Sequence, residues 1–437
     1  MNKTAMKIMG IVFPVILTAV MIANLILPDR SFSEEENRVL QERPSFSIAS
    51  FLAGRYEKKA ESYAEDQFIA RNGFIKIKTA ADTAMGMTSS NGVFRGRDGY
   101  LLEDITAPSG DQLSLTISSL KDFRAKNPDI SMSFLLAPNA ANILSDKLPL
   151  FAATENQNLY MDAFLGSLSS SGYEVIDVRD AFREKIENVQ LYYRTDHHWT
   201  TDGAYIAYLE YVKKLGIPDD TVYDALVVKN DFRGTLASKS GFTNGKNDAL
   251  TIYLPTAESP YDPSVIYYPD TTDKTTVFYR LDSLDTKDAY TVFGGSNHPV
   301  YTVRTPIRDN EQCLLLIKDS YANSMIPFLA QDYYQIVVVD PRYFYDDINT
   351  VINTYGVTDV LFLYNANTFF GDDSLSMLLN AEFDAPALTD TDRLQRKALD
   401  HIKARLFEVI AENLGGDSSG ALKEICQTIL DKIAEYR

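Results

Sequence analysis

Leu314-Leu315-Leu316-Ile317-Lys318-Asp319-Ser320-Tyr321-Ala322-Asn323-Ser324 is the stretch whose reading decides the fold. Four consecutive apolar residues fit a strand buried on both faces, as in a parallel sheet covered by helices. The run ends in a polar turn, after which Ala322, Met325, Ile326 and Leu329 recur at helical spacing. A strand that feeds a helix through a tight turn is the repeating unit of an open α/β sheet. Functional residues in such sheets gather at the carboxyl ends of the strands. Ser320 stands at that turn, where its hydroxyl is presented and nearby amides can face an oxyanion. Pro327 predicts a kinked or shortened helix. Taken alone, Ser320 or Asp319 also reads as a plain helix cap.

The pattern repeats outward from this unit. Residues 130–136, 173–178, 189–193, 336–339 and 360–364 read as short apolar strands, and residues 113–125, 159–168, 201–215 and 345–355 as helices. Two short strands flank a glycine-rich turn at 91–94 and 99–102, and alternation resumes at Tyr290-Thr291-Val292-Phe293. The expected fold class is therefore α/β, a mostly parallel sheet with helices on both faces, over residues 91–384. Residues 219–288, rich in Tyr, Thr, Asp and Pro, read as short β-elements and a possible insertion.

The ends differ in character. Lys3 and Lys7 precede an uncharged apolar run from Ile8 to Leu27, which predicts a membrane anchor or signal over residues 1–30, with the bulk of the chain extracytoplasmic. Cleavage of that segment would make the chain secreted. Residues 31–90 read as a charged juncture and a helical stalk, with Tyr56, Ala60, Tyr63, Ala64 and Phe68 on one face. Residues 385–437 read as a two-helix C-terminal appendix broken at Gly415-Gly416.

The 437 residues carry 60 acidic and 42 basic side chains, a formal net charge of -18. So acidic a surface repels phosphate backbones and excludes nucleic acid as a natural partner. The two cysteines, Cys313 and Cys426, have neither disulfide nor zinc spacing and read as buried small hydrophobes.

Histidine is scarce, and two of the four sit in Tyr192-Tyr193-Arg194-Thr195-Asp196-His197-His198-Trp199-Thr200, ahead of a predicted helix. In an extended segment, Asp196 and His198 point the same way. The carboxylate can then fix the imidazole tautomer and support the charge that forms when the other ring nitrogen takes a proton. That is the base half of a nucleophilic triad, and Ser320 supplies the nucleophile. Thr200, Thr201 or Asp202 can cap the following helix instead of Asp196. Two other classes of function stay open. The 26 tyrosines suit a non-catalytic glycan-binding or scaffold protein of the cell envelope. Asp196 and Asp202 with His197 or His198 suit a metal-dependent hydrolase, although adjacent histidines of an extended chain face opposite ways.

Together these segments resemble the DHHW protein family, whose signature is Asp196-His197-His198-Trp199. The juncture from Ser33 to Arg38, Asp66-Gln67-Phe68 with Arg71, the turn from Gly96 to Leu102, Gly294-Gly295-Ser296-Asn297-His298-Pro299, Lys318-Asp319-Ser320-Tyr321-Ala322-Asn323-Ser324 and Asp340-Pro341-Arg342-Tyr343 fit it too. The family is similar to the SGNH-hydrolase-like proteins that O-acetylate alginate and other bacterial exopolysaccharides outside the cytoplasm. The resemblance implies O-acetylation or deacetylation of a cell-surface polysaccharide through an acetyl-Ser320 intermediate. It implies a polysaccharide acceptor, a membrane-bound O-acyltransferase as acetyl donor, and no cofactor. It also implies the triad Asp196, His198 and Ser320 in that chain order, the reverse of ordinary SGNH hydrolases. Lys318-Asp319-Ser320 lacks their glycine. The candidates for oxyanion or substrate contacts are Gly295, Asn297, Tyr321 and Asn323. His298, before a proline, reads as a turn residue.

Overall fold

A computed structural model describes residues 3–30, 32–33, 38–52, 55–242, 246–256, 264–307 and 311–381. The deciding segment becomes the strand Cys313–Lys318, buried along its whole length. It lies inside an eight-stranded sheet ordered Asp273–Thr275, Val265–Tyr268, Val300–Arg304, Gln335–Val339, Cys313–Lys318, Asp359–Asn365, Ser131–Ala137 and Glu174–Ile176. The last five run parallel, and the first three add to them antiparallel.

Both faces of the sheet are covered, which is why its strands are apolar without alternation. Successive side chains leave a strand on opposite sides. On one side Leu135, Leu314, Leu316, Leu361 and Leu363 share a core with Ala204, Tyr208 and Tyr211 of the helix Thr201–Leu215. On the other, Phe134 and Phe362 meet Phe164 and Phe123, from the helices Gln157–Ser169 and Gly110–Lys126, edge to face at 5.0 and 6.0 Å. Each such buried ring contributes about 2 to 3 kcal/mol of transfer free energy.

Several expectations change. Residues 189–193 form no strand, and Tyr192 makes only a single bridge to Trp199, because the chain bends through the following loop. Tyr290 lies in a 3-10 turn, Ala289–Val292, not a strand. Of the two expectations at Pro327 the short helix is found and the kink is not. Pro327 sits in the first turn of the four-residue helix Ile326–Leu329, where its missing N–H has no partner to lose. The 219–288 stretch is not a detached insertion. It contributes the hairpin Tyr223–Phe232 with Asp248–Pro255, and two strands of the main sheet.

The stalk is three helices, Ile48–Leu52, Arg55–Asp66 and Arg71–Ala84. The last packs on the α/β unit, with Thr79 Oγ1 donating to the Ser240 carbonyl at 3.3 Å. The apolar N-terminal run is the helix Lys3–Ile26, with Pro14 in its interior. Among the described residues no helix is long and apolar enough to cross a membrane. The expected anchor is corrected to that extent.

The chain divides into two compact units, Met1–Tyr345 with Thr358–Leu379, and Asp346–Val357 with Asn380–Arg437. In the second, the helix Ile348–Tyr355 is capped by Asp347, whose carboxylate accepts the Asn349 amide, and closed by Gly356 at φ 63°. The predicted C-terminal appendix and Cys426 lie outside the described residues.

Candidate active site

The loop carrying Asp196 is held from below by a buried carboxylate. Asp248 Oδ1 accepts the Arg194 amide (2.8 Å) and Gln190 Nε2 (3.0 Å). Its Oδ2 accepts the Thr195 amide (2.9 Å) and hydroxyl (2.7 Å). Downstream, Thr200 caps the helix Thr201–Leu215 by accepting the Gly203 amide at 3.2 Å, which leaves Asp196 without a capping duty. Asp202 is turned away, accepting from the Tyr253 hydroxyl at 2.6 Å.

Asp196 is buried and fully engaged. Its Oδ1 accepts the His198 amide (2.9 Å) and faces His198 Nδ1 at 2.6 Å. Its Oδ2 accepts the Thr235 amide (2.8 Å) and hydroxyl (3.0 Å). Only a backbone without a side chain fits beside it: a Cβ on Gly234 would stand 2.1 Å from Asp196 Oδ2. With Nδ1–H directed at the carboxylate, His198 Nε2 is the bare nitrogen, and it lies 2.8 Å from Ser320 Oγ. The structure thus brings Asp196, His198 and Ser320 into one hydrogen-bonded line across 122 residues of chain.

The electrostatics suit a resting base. Burial and the neighbouring His197 push the His198 imidazole down to about 4, against the raising effect of Asp196. Burial pushes the Asp196 carboxyl up, but the two histidines and the His198 and Thr235 hydrogen bonds hold it well below the usual carboxylate range. At neutral pH, Asp196 is therefore ionised and His198 neutral.

Aromatic rings fix the imidazole. Tyr290 stacks flat on His198, centroids 3.7 Å apart and planes within 8°. Trp199 Nε1 donates to the Tyr321 carbonyl and Ser324 Oγ, both at 3.0 Å, tying the histidine loop to the serine turn. The Tyr321 hydroxyl donates to the His197 carbonyl, a second tie between the same segments.

The serine turn is a 3-10 helix, Ser320–Ser324, capped by Asp319. Asp319 Oδ1 accepts the Tyr321 amide (2.9 Å) and Oδ2 the Asn365 amide (2.8 Å), so Asp319 locks the turn to the neighbouring strand. Behind it Lys318, buried and lowered by that burial, reaches Asn323 Oδ1 (3.0 Å) and Asp340 Oδ2 (3.4 Å). Arg342 clamps Asp340 through Nε (2.9 Å) and an Nη (2.6 Å).

The four oxyanion candidates fare differently. The Gly295 amide donates to the Thr291 carbonyl at 2.8 Å, and the Tyr321 amide is spent on Asp319, which removes both as amide donors. Asn297 is exposed. Asn323 is half-buried, with its carbonyl oxygen held by Lys318. His298 Nδ1 pairs with Asp270 at 2.9 Å on the sheet edge.

One sequence argument fails. His197 and His198 do not face opposite ways, because the loop bends and is not extended. Their ring centroids are 3.8 Å apart, and Asp196, His197 and His198 each offer a ligand atom within 4.8 Å of the others. His197 Nδ1 nevertheless has a partner in Thr235 Oγ1 at 2.6 Å, and His198 Nδ1 has one in Asp196. Tyr290, Thr235, Gly234 and Asp248 were not singled out from the sequence. Each reaches the site through tertiary contacts that no local pattern announces.

Residues 159–339 match a family model described as DHHW protein. Among curated proteins the chain is similar to the probable alginate O-acetylase AlgJ of Pseudomonas aeruginosa, 26% identical over 174 residues, 38% of this chain and 44% of that one. The AlgJ of Pseudomonas fluorescens is likewise 26% identical, over 175 residues and the same shares. The chain thus matches less than half the length of these relatives. Among solved structures, a DHHW family protein from Eubacterium siraeum is 22% identical with a TM-score of 0.53, over 66% of this chain and 95% of that one. Bacillus cereus PatB1 with a sulfonyl adduct is 21% identical with a TM-score of 0.52, over 64% and 98%. These two structures share its fold.

Proposed function

The chain is related to the DHHW protein family, and on that premise we propose that it transfers an acyl group, an acetyl above all, through Ser320 to or from a cell-surface polysaccharide. The observation that carries the reading is the line from Asp196 through His198 to Ser320, with hydrogen-bond distances of 2.6 and 2.8 Å. Kinship with proteins named alginate O-acetylases supports the acyl and the glycan.

In this mechanism His198 Nε2 takes the Ser320 hydroxyl proton as Oγ attacks the acetyl carbonyl carbon. The tetrahedral intermediate collapses, His198 returns the proton to the leaving group, and acetyl-Ser320 remains. A sugar hydroxyl then gives its proton to His198 and attacks the acetyl carbon. Ser320 leaves and regains its proton. Water in place of the sugar makes the same site an esterase. Asp196 stays ionised throughout and holds the Nδ1–H tautomer. Tyr290 lies face-on to the imidazolium that forms twice per cycle, a cation–π contact. Asn323, its oxygen held by Lys318, remains the candidate to donate toward the oxyanion. The reading places the reaction outside the cytoplasm, with a membrane-bound O-acyltransferase as acetyl source.

The test is hydrolysis of para-nitrophenyl acetate by the purified chain and its Ser320→Ala variant. The variant is expected to lose the activity and the acetyl-enzyme mass adduct. Equal turnover by both proteins refutes the assignment. Glycan binding with no wild-type turnover supports a non-catalytic glycan-binding protein instead.

A further inference from the structure

We propose that His197 holds the acceptor of the acyl group by a second hydroxyl, so that the site transfers to a vicinal diol in preference to water or an isolated alcohol. The inference deepens the acyl-transfer reading and rests on it. His197 is not a member of the line from Asp196 to Ser320, yet its ring lies against that line.

Its tautomer follows from its neighbours. Asp196 is ionised, and a carboxylate only accepts. The Thr235 hydroxyl therefore spends its one proton on Asp196 Oδ2, at 3.0 Å. Toward His197 Nδ1, at 2.6 Å, the same oxygen can only accept, so Nδ1 carries a proton. Asp196 Oδ1, 3.6 Å from that Nδ1, favours the same arrangement. In the neutral ring Nε2 is then bare, with a lone pair for an incoming O–H. Among the described residues no protein group bonds to it, and it is not buried, so solvent reaches it. One carboxylate thus sets two imidazoles alike, His198 through Oδ1 directly and His197 through Oδ2 and Thr235.

Its position is at the entrance. Three rings pack on His198: Tyr290 at 3.7 Å, His197 at 3.8 Å and Tyr321 at 5.3 Å between centroids. Tyr290, Tyr321 and His198 itself are buried, whereas His197 exposes 28% of its side chain and Ser320 is half-buried. Of these rings, His197 is the one open to an acceptor. Two hydroxyls on adjacent carbons stand roughly 3 Å apart, about one hydrogen-bond length. Two imidazoles whose centroids are 3.8 Å apart can therefore engage both at once.

In the transfer step, one hydroxyl gives its proton to His198 Nε2 as its oxygen attacks the carbonyl carbon of acetyl-Ser320. The new ester C–O bond forms and the bond from that carbon to Ser320 Oγ breaks. Oγ then takes the proton from His198. The neighbouring hydroxyl donates to His197 Nε2 and changes no bond. Water attacks by the same route, but it has no second oxygen for His197 to hold.

The experiment supplies the full chain with para-nitrophenyl acetate and one of two isomeric acceptors, trans-cyclohexane-1,2-diol or trans-cyclohexane-1,4-diol. The ratio of diol monoacetate to free acetate is measured after subtraction of a Ser320→Ala blank. Both products come from one acetyl-Ser320, so the ratio does not depend on how fast that intermediate forms or on how much protein is folded. The 1,2-diol is expected to give a ratio at least about fivefold above that of the 1,4-diol, the effect of one added hydrogen bond. His197→Asn keeps a donor for Thr235 but reaches no farther, and His197→Phe keeps a ring without nitrogen. In both, the two diols are expected to give equal ratios. Equal ratios in the unaltered chain, acetylation of neither diol, or a preference that survives in either variant overturns the proposal and leaves acyl-Ser320 chemistry standing. An unaltered chain that forms no acetyl-Ser320 overturns the acyl-transfer reading, and this inference with it.

Discussion

Replacing Asp196 by asparagine isolates what the buried carboxylate contributes. The four donors around it are two backbone amides, an imidazole N–H and a hydroxyl. A carboxylate accepts from all four, but a side-chain amide offers one oxygen and one NH2. Whichever way the substituted side chain sits, one backbone N–H, of His198 or of Thr235, meets an NH2 group. That orphaned donor costs about 1 to 3 kcal/mol of stability. The catalytic loss is larger. The negative charge that supports the His198 imidazolium is gone, and where the NH2 faces Nδ1 the ring takes the tautomer that cannot accept the serine proton. We expect kcat for para-nitrophenyl acetate to fall about a thousandfold to ten-thousandfold, roughly 4 to 5 kcal/mol of barrier.

The pH profile separates this from general damage. In the unaltered chain His198 titrates near 4, so activity is full at neutral pH and is lost as pH falls through about 4. Asp196 raises the His198 value, so removing its charge moves that acid limb to lower pH. The sign for stability follows from the same group. His198 in the folded chain lies below its unfolded value of 6.5, so the unfolded state binds more protons between the two, and stability falls as pH drops through that window. A kcat within about tenfold of the parent, or an acid limb that rises toward 6.5, refutes the role given to Asp196.

Gly234→Ala places a methyl 2.1 Å from Asp196 Oδ2, so the carboxylate must move off His198. We expect kcat to fall at least about a hundredfold with circular dichroism little changed; unaltered kcat means that the loop yields instead. Tyr290→Leu removes the ring stacked on the imidazole. We expect a loss of about tenfold in kcat, from roughly 1 to 2 kcal/mol of cation–π support, and an acid limb above 4 as water reaches the ring. An unshifted limb argues against that role.

The sheet was legible because its strands are apolar on both faces: Cys313–Lys318, Gln335–Val339 and Asp359–Asn365 need no partner to be recognised. The helix Thr201–Leu215 agrees at both ends with its sequence reading, since Thr200 and Gly216 punctuate it chemically. Residues 189–193 misled because Leu191, Tyr192 and Tyr193 are buried by distant segments and not by a sheet. Asp196, His198 and Ser320 were legible as residue types in order. The helpers were not. Asp248 holds the loop from 54 residues away and Tyr290 covers His198 from the far side of the hairpin. The facing histidines escaped because a period of two holds only for an extended chain.

The distance in chain between His198 and Ser320 also bears on when reactivity arises. The two strands that flank Cys313–Lys318 in the sheet, Gln335–Val339 and Asp359–Asn365, both come later in the sequence. A chain still being made therefore holds an imidazole without its hydroxyl, and then a hydroxyl without a framed sheet. Closing so long a loop costs entropy that only the finished packing repays. On the acyl-transfer reading proposed above, Ser320 meets its base in a framed sheet only in a chain that already includes the strands Gln335–Val339 and Asp359–Asn365.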